Sequence, residues 1–455
     1  MTQSVRPDGE IAILGLGKSG AAAAKLLLAD GNRVYISDAG ASPSINDTAR
    51  QLVDLGASVD VAGHDLERIA RASKVVLSPG IPPASPAIVA AREAGKPMVS
   101  EIEVALAYLT DSRIIAVTGT NGKTTTTSLI GHILRSIGED VVDAGNIGTP
   151  LSDFARRDAR PEWIALEMSS FQLHDTPSLD PAVGVLTNLS PDHLDRYPTA
   201  DEYYADKKLL FANASASSKW VLNADDKRVV DMTRDIAGEK HRFSLAGTAD
   251  AWYDAGSGTL HLLGHELMKR GELNLLGDHN VANVLAASLA VTVASDKLRT
   301  EEARSGIRDA LKSFNALAHR LEVVGERDGV QWINDSKATN VSSAMVAIAG
   351  MKRPTILLLG GRHKGEPYTS LSDAIRKSVK LIIAYGEAAS EIEKDLDGVA
   401  PIERMEDDFE QVIEHARKSA QPGDAVLMSP ACSSYDMFRN YEERGERFRE
   451  LAMGK

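Results

Sequence analysis

The sequence predicts an α/β protein of three domains, each built on a largely parallel sheet. Three observations predict it. Short, wholly apolar runs alternate with helix-period segments along the chain. Two glycine turns of the phosphate-binding kind stand in separate units, at residues 15–20 and 119–122. The 455 residues exceed what a single core holds. The expected boundaries are 1–102, 103–316 and 317–455, although no Pro/Gly/Ser linker marks them.

The first unit opens with "IAILG", then an Ala-rich helix, then "RVYISD" and "KVVLSPGIP". Gly15, Gly17 and Gly20 fit G-x-G-x-x-G between a strand and a helix, and Asp38 stands at the end of the next strand. That spacing permits a tight turn, close backbone approach to a phosphate and a carboxylate aimed at ribose or base. Taken alone it reads as an NAD or FAD site, or as a structural glycine turn.

The second unit runs through "RIIAVTG", "WIALEMSS" and "VGVLTNLS", continuous apolar runs suited to strands buried on both faces. "GTNGKTT" follows the first of these as a shortened P-loop, since Val117 stands where the usual first glycine would be. The spacing lets backbone N–H groups form an anion nest, Lys123 reach the β/γ-phosphates and the Thr124 hydroxyl meet Mg²⁺. Leu129, Ile130, Ile133, Leu134 and Ile137 give the next helix an apolar stripe. Four successive threonines are poor helix openers; an anion and a metal account for the first one or two, leaving the others as filler. Glu167 ends "WIALE", where a metal-linked acid sits in P-loop enzymes. His193, between Asp192 and Asp195 in the loop after the next strand, reads as a metal ligand, a phosphate contact or a satisfied loop histidine.

The third unit carries "VQWIND", "TILLLGG", "LIIAYGE" and "DAVLMSP", each followed by glycine or polar residues. Open α/β sheets bind ligands at those carboxyl ends. A net charge of −13 argues against nucleic acid as a partner. The single cysteine, Cys432, excludes a disulfide framework and fits a reducing compartment. No apolar leader and no uncharged run long enough to span a membrane is seen, so a cytoplasmic location is expected; a monomer is the expected state, although the sequence does not give it.

Seven segments, "GTNGKTT", "LEMSSFQL", "TNLSPDHLDRY", "GDHNVANVLAA", "HRLE", "NDSKATN" and "LMSPACSSYDMF", occur in order along nearly the whole chain. Together the set resembles the Mur ligases, and among them the members that add D-glutamate. The resemblance implies a Rossmann-like UDP-sugar-binding domain, a central P-loop-type ATPase domain and a Rossmann-like amino-acid-binding domain. It implies ATP and two Mg²⁺ ions as cofactors, with UDP-N-acetylmuramoyl-L-alanine and D-glutamate as substrates joined through an acyl phosphate. The first glycine turn then holds the diphosphate of a UDP-sugar rather than a dinucleotide.

Carried over by position, Gly15, Gly17, Lys18, Ser19, Asp38 and Gly80 line the uridine-diphosphate pocket. Asn146 and Ser169 meet the sugar-peptide part. Gly119, Thr120, Asn121, Gly122, Lys123, Thr124 and Thr125 wrap ATP, with Asn283 at adenine, Asp335 at ribose and Arg320 at the phosphates. Thr124 and Glu167 hold one Mg²⁺ and His193 the other. Lys337 and Thr339 reach the acyl phosphate and D-glutamate, and Lys364, Ser434 and Tyr441 bind the D-glutamate carboxylates. Two departures stand out: Arg362 replaces an expected acid, and Tyr441 replaces an expected phenylalanine. Other Mur-type ligases, folylpolyglutamate-type ligases and a nicotinamide dehydrogenase are the rivals; the last leaves Lys123, Thr124 and Glu167 without work.

The resemblance also implies a lysine carbamate that helps hold the second ion, and "ADEYYADKKLLFANA" offers Lys207 and Lys208. Read as one helix, Lys207 has Tyr203, Tyr204, Leu210 and Phe211 around it, a buried stripe. Lys208 has Tyr204, Ala205, Phe211 and Ala212, a more marginal face. Burial disfavours the ammonium and exposes the amine that CO₂ needs, so Lys207 is the expected site.

Overall fold

The computed structural model describes residues 9–193, 196–405 and 408–454. Three sheets appear, one in each expected region. The first has five parallel strands, in the order Ser58–Asp60, Arg33–Ser37, Glu10–Leu14, Lys74–Leu77 and Met98–Ser100. Its interior strands are apolar on both faces because helices cover both, which is the grammar read from the sequence.

The central sheet is built around Arg113–Thr118, flanked in parallel by Trp163–Glu167 and Val183–Leu186. Val141–Gly145 lies beyond the former, and Lys219–Asn223 and Glu239–Ser244 beyond the latter. The last two strands, and the short strands Ala251–Asp254, Thr259–Leu262 and His265–Lys269, had no counterpart in the sequence reading. Runs such as "EKHRFS" are only half buried and mix polar with apolar residues, so they carry no continuous hydrophobic signal.

In the third sheet the order is Glu322–Arg327, Val330–Asn334, Ala425–Met428, Thr355–Gly360, Val379–Tyr385 and Ile402–Arg404. Only the first of these strands is antiparallel to its neighbour. The chain forms two compact units: one runs to Trp252 and takes in His261–Leu267 and Val284–Ala310, and the other holds Tyr253–Leu260, Met268–Asn283 and the chain from Leu311. Among the described residues no helix is long and apolar enough to cross a membrane.

Within the first unit, the helix Lys18–Ala29 does double service. Its Ala-rich face packs on its own sheet, and it also meets the helices Glu101–Leu106 and Leu151–Ala155. One hydrophobic core therefore runs from Ile11 and Ile36 through Leu26 and Leu27 to Phe154 and Leu166. The glycine turn feeding this helix is tight: Gly15 has φ +96°, and a Cβ on Gly20 would lie 1.9 Å from the Gly15 carbonyl oxygen. Gly17→Ala would place its Cβ in open space.

Two local expectations need correction. The α-helix expected over 200–214 stops at Lys208 and continues as a 3₁₀ turn, Leu209–Phe211. That tightening is common at helix ends, and here it turns Leu210 and Phe211 into the core. The later threonines of the loop helix are not filler either, since Thr126 and Thr127 are wholly buried.

Gly20→Ala should destabilise the protein by about 1–3 kcal/mol through overpacking against backbone, read as a lower urea midpoint at unchanged slope. Gly17→Ala should cost clearly less, and equal losses would show that the close approach of Gly20 to Gly15 is not what constrains the turn.

Candidate active site

Gly119 ends the strand Arg113–Thr118 at φ +146°, and a Cβ there would lie 2.0 Å from Thr187 Oγ1. Only glycine fits. The loop is then pinned to the next strand's exit: Asn188 Oδ1 accepts from Asn121 N at 2.9 Å, and Thr187 Oγ1 donates to Asn121 O at 2.6 Å. Thr120 N donates to Asn188 O, while the Thr120 hydroxyl donates to Ser190 O at 3.0 Å. Gly122, at φ +84°, opens the helix Lys123–Ser136 without a side-chain cap, so the positive end of the helix dipole faces the loop.

Lys123 folds back on this loop, its Nζ donating to Gly119 O at 2.9 Å and to Thr120 O at 2.7 Å. Lys207 Nζ donates to the same Gly119 carbonyl at 2.7 Å. Lys207 is buried and Lys208 exposed. Burial, and then the neighbouring Lys123 ammonium, hold the Lys207 amine well below its usual pKa, against the opposing pull of Asp192, Glu167 and Asp206.

Glu167 ends Trp163–Glu167, in register with Val117 on the adjacent strand. It is almost wholly buried; its Oε1 accepts from Asn146 Nδ2 at 2.8 Å, and its Oε2 has no hydrogen-bond partner among the described residues. A buried carboxylate oxygen without a partner is costly unless something else meets it. Among the described residues no group of three or more His, Cys, Asp or Glu gathers as a metal cluster. A hard cation here would take one carboxylate, a hydroxyl and phosphate oxygens, which is how Mg²⁺ is usually held; Glu167 and Thr124 fit that set.

His193 sits at φ +55°, with Nε2 3.8 Å from Asp192 Oδ2 and its ring edge-on to Phe171 at 5.3 Å. Asp195 lies outside the described residues. The ends of three neighbouring parallel strands thus present Gly119, Glu167 and the His193 loop together.

At the first glycine turn, Asp38 is already engaged. Its two oxygens accept from Leu16 N and Gly40 N, both at 2.7 Å, so it braces the turn and leaves only its remaining lone pairs to a ligand. Ser19 lines a cavity of about 400 Å³ with Ser78, Phe171, Gln172, Arg196 and Tyr197, whereas Lys18 is exposed. Arg196 covers the Phe171 ring at 4.5 Å and donates to Gly80 O at 3.3 Å. The Ser169 hydroxyl is occupied as the N-cap of Ser170–His174, in a capping box with Gln172.

The third sheet gathers a separate set. Asp335 is buried, accepting from Leu321 N at 3.1 Å and from the Ser429 hydroxyl at 2.7 Å; burial pushes its pKa up to about 7. Lys364 Nζ lies 3.4 Å from Thr339 Oγ1, and Lys337 Nζ stands 5.1 Å over the Tyr441 ring. Ser434 is buried nearby in the chain at the segment 429–438. Arg362 forms a two-pronged pair with Glu387 at 2.9 and 3.0 Å. Asn283 is buried and donates to Asn280 Oδ1 at 3.1 Å. Arg444 was missed by sequence reasoning: wholly buried, it donates to Ser336 Oγ, Ser336 O and Cys432 O, tying "NDSKATN" to "SPACSSYDMF". Nothing in "YEERGERFREL" distinguishes it from a solvated charge.

Comparison with known proteins follows the same three segments. Family models match residues 9–100 (Mur ligase MurD-like, N-terminal domain), 117–291 (Mur ligase middle domain) and 319–432 (Mur ligase, glutamate ligase domain). The chain is 40% identical to UDP-N-acetylmuramoylalanine–D-glutamate ligase of Salinibacter ruber, over 96% of each chain. It is 37% identical to the enzyme of that name from Koribacter versatilis, covering 97% of this chain and 96% of that one. Among solved structures, MurF from Acinetobacter baumannii superposes with a TM-score of 0.63 at 15% identity, covering 93% of this chain and 91% of that one. A pseudomurein peptide ligase type C from Methanothermus fervidus gives 0.60 at 21% identity, over 98% of this chain and 100% of that one. Both share the fold.

Because burial keeps Asp335 protonated up to about pH 7, while an unfolded carboxyl ionises near pH 4, the native chain holds an extra proton between those values. Its contribution to stability is full below about pH 4 and is lost as pH rises through about 7. Asp335→Asn should therefore gain stability relative to the wild-type protein as pH rises across that window. Parallel denaturation midpoints for the two proteins across that range would contradict it.

Proposed function

The chain belongs to the Mur ligase family, and from that premise we propose that it joins D-glutamate to UDP-N-acetylmuramoyl-L-alanine using ATP, in the cytoplasmic synthesis of peptidoglycan precursors. The relatives that match it nearly end to end carry that activity in their names. Within the molecule, one observation carries the reading. Two lysines converge on the Gly119 carbonyl, at the mouth of a helix, beside a buried Glu167 oxygen that has no hydrogen-bond partner among the described residues.

The reaction forms an acyl phosphate and ADP when the acceptor's carboxylate takes the γ-phosphoryl group. The amine of D-glutamate then attacks the acyl carbon, and phosphate leaves as the amide forms. Residues 119–125 wrap the triphosphate through loop N–H groups and the helix dipole. Lys123, now resting on Gly119 and Thr120, exchanges those carbonyls for phosphate oxygens whose charge shifts during transfer. Thr124 and Glu167 would hold one Mg²⁺, and His193 with a carbamylated Lys207 a second; the ions would supply positive charge to the phosphate oxygens. The lowered pKa of Lys207 supports the carbamate, because CO₂ adds only to the neutral amine.

The remaining assignments follow the motifs. Residues 1–102 take the UDP-sugar, with its diphosphate at Gly15, Gly17, Lys18 and Ser19, near Asp38 and Gly80. Asn146 and Ser169 serve the sugar-peptide part. In 103–316 and 317–455, Asn283, Arg320 and Asp335 serve the nucleotide. Lys337 and Thr339 serve the acyl phosphate, and Lys364, Ser434 and Tyr441 the D-glutamate carboxylates.

Steady-state ADP formation over many turnovers should require the UDP-muramyl acceptor and D-glutamate together. Turnover with another amino acid in place of D-glutamate would assign the chain to a different member of the family. Lys123→Ala should lower kcat by about two to three decades, the cost of one preorganised charge-stabilising donor, with acceptor binding retained. Lys207→Ala should lose activity that added short-chain carboxylic acids partly restore, while Lys208→Ala stays mild; severe loss at Lys208 alone would move the carbamate to that residue.

A further inference from the structure

Three segments carry the candidate metal-site groups of the central domain: the strand ending at Glu167, the loop of His193 and the helix of Lys207. One residue the mechanism does not use, Asp206, ties together the helix that follows Glu167, the segment that follows His193 and the helix of Lys207. Its Oδ1 accepts from His174 Nδ1 at 2.9 Å, and its Oδ2 accepts from the Tyr197 hydroxyl at 2.7 Å. His174 ends the short helix that follows Glu167, and Tyr197 N donates to the His193 carbonyl at 2.9 Å. Asp206 itself directly precedes Lys207 in the helix Ala200–Lys208.

The Tyr197 ring carries the grip onward. It stacks on Phe171, with centroids 5.3 Å apart and planes 11° apart, and Phe171 meets the His193 ring edge-on. Tyr203 packs against Tyr197 at 5.4 Å and against His193 at 6.0 Å, and Lys207 Nζ lies 4.6 Å from the Tyr203 centroid. His193 adopts a left-handed backbone, which a residue with a side chain keeps only where its surroundings hold it. A surface aspartate on a polar helix would ordinarily face solvent, but the Asp206 side chain keeps only 18% of its exposure, with both oxygens engaged on other segments.

We propose that Asp206 is a positioning residue for the ligase reaction: by gripping His174 and Tyr197 at once, it fixes Lys207 and His193 relative to each other through the Phe171–Tyr197–Tyr203 rings. This rests on the reading of Lys207 and His193 as metal-site groups. Partners that orient a metal-binding group are worth about 10–100-fold in metal affinity or activity.

The test uses the full chain and measures kcat, each KM, the apparent Mg²⁺ activation constant and the melting temperature for Asp206→Ala, Asp206→Asn and Tyr197→Phe, with Lys207→Ala alongside. The expected result for Asp206→Ala is a kcat lower by about 10–100-fold and a raised Mg²⁺ requirement, with the KM for D-glutamate unchanged. Tyr197→Phe should move the same two quantities in the same direction. Asp206→Asn, close in shape and still able to accept from Tyr197, should fall between and serves if the alanine variant does not fold. Wild-type kcat and Mg²⁺ dependence in the Asp206 variants, with Lys207→Ala inactive, would overturn the positioning role and leave the site reading standing. Loss spread evenly over kcat, every KM and the melting temperature, without a Mg²⁺ shift, would reduce Asp206 to a structural residue and also overturn it. An active Lys207→Ala would remove both the site reading and this inference.

Discussion

The backbone of Gly119 is the point on which the central site depends. Its missing side chain lets the loop press within 2.0 Å, measured from where a Cβ would be, of the Thr187 hydroxyl. That contact locks the nucleotide loop to the exit of the neighbouring strand, where Asn188 supplies both a donor and an acceptor to Asn121. The Gly119 carbonyl then points at two lysine amines. Loop, helix start and the Lys207 helix are therefore referenced to one peptide group, and a displacement of that peptide would move all of them.

Two ammonium groups sharing one carbonyl would repel in a poorly hydrated site. The molecule resolves the conflict by burying one of them. Lys123 stays partly exposed, while Lys207, sealed beneath Tyr203, is pushed toward the neutral amine. A similar division of roles appears at buried Glu167, where one oxygen is spent on Asn146 and the other has no hydrogen-bond partner among the described residues. Residues of the site are thus divided between those that hold the frame and those kept available.

Several candidate binding residues belong to the first group. Asp38 braces the glycine turn, Ser169 caps a helix, and Asp335 accepts from a backbone N–H and a serine hydroxyl. Their chemistry toward a ligand is what remains after these contacts, which makes shape as important as charge at those positions. Arg444 performs the corresponding service in the third domain, where its buried guanidinium joins the two loops that carry Lys337, Thr339 and Ser434.

The fold and the motifs were legible in the sequence wherever the signal is local. Continuous apolar runs bounded by glycine or polar residues mark strands buried on both faces, and the first-domain and central loops show their glycines at fixed spacing. The burial of Lys207 rather than Lys208 was also legible, since helical spacing put the aromatic neighbours around it, even though the helix tightens to a 3₁₀ turn after Lys208. The strands from 219 to 269 were not legible, because most are short and mix polar with apolar residues, leaving little period to read. Nor could the sequence distinguish Arg444 or Asp206 from other charges on polar helices. Their roles depend on which distant groups arrive beside them: His174 and Tyr197 for Asp206, Ser336 and Cys432 for Arg444. Periodicity and spacing are properties of neighbouring residues, so the chain by itself determined its continuously apolar strands and glycine loops. Which oxygen is left unpaired, which amine is desolvated and which carboxylate becomes a brace were decided by tertiary packing, because burial and partnership are set by segments far apart in the chain.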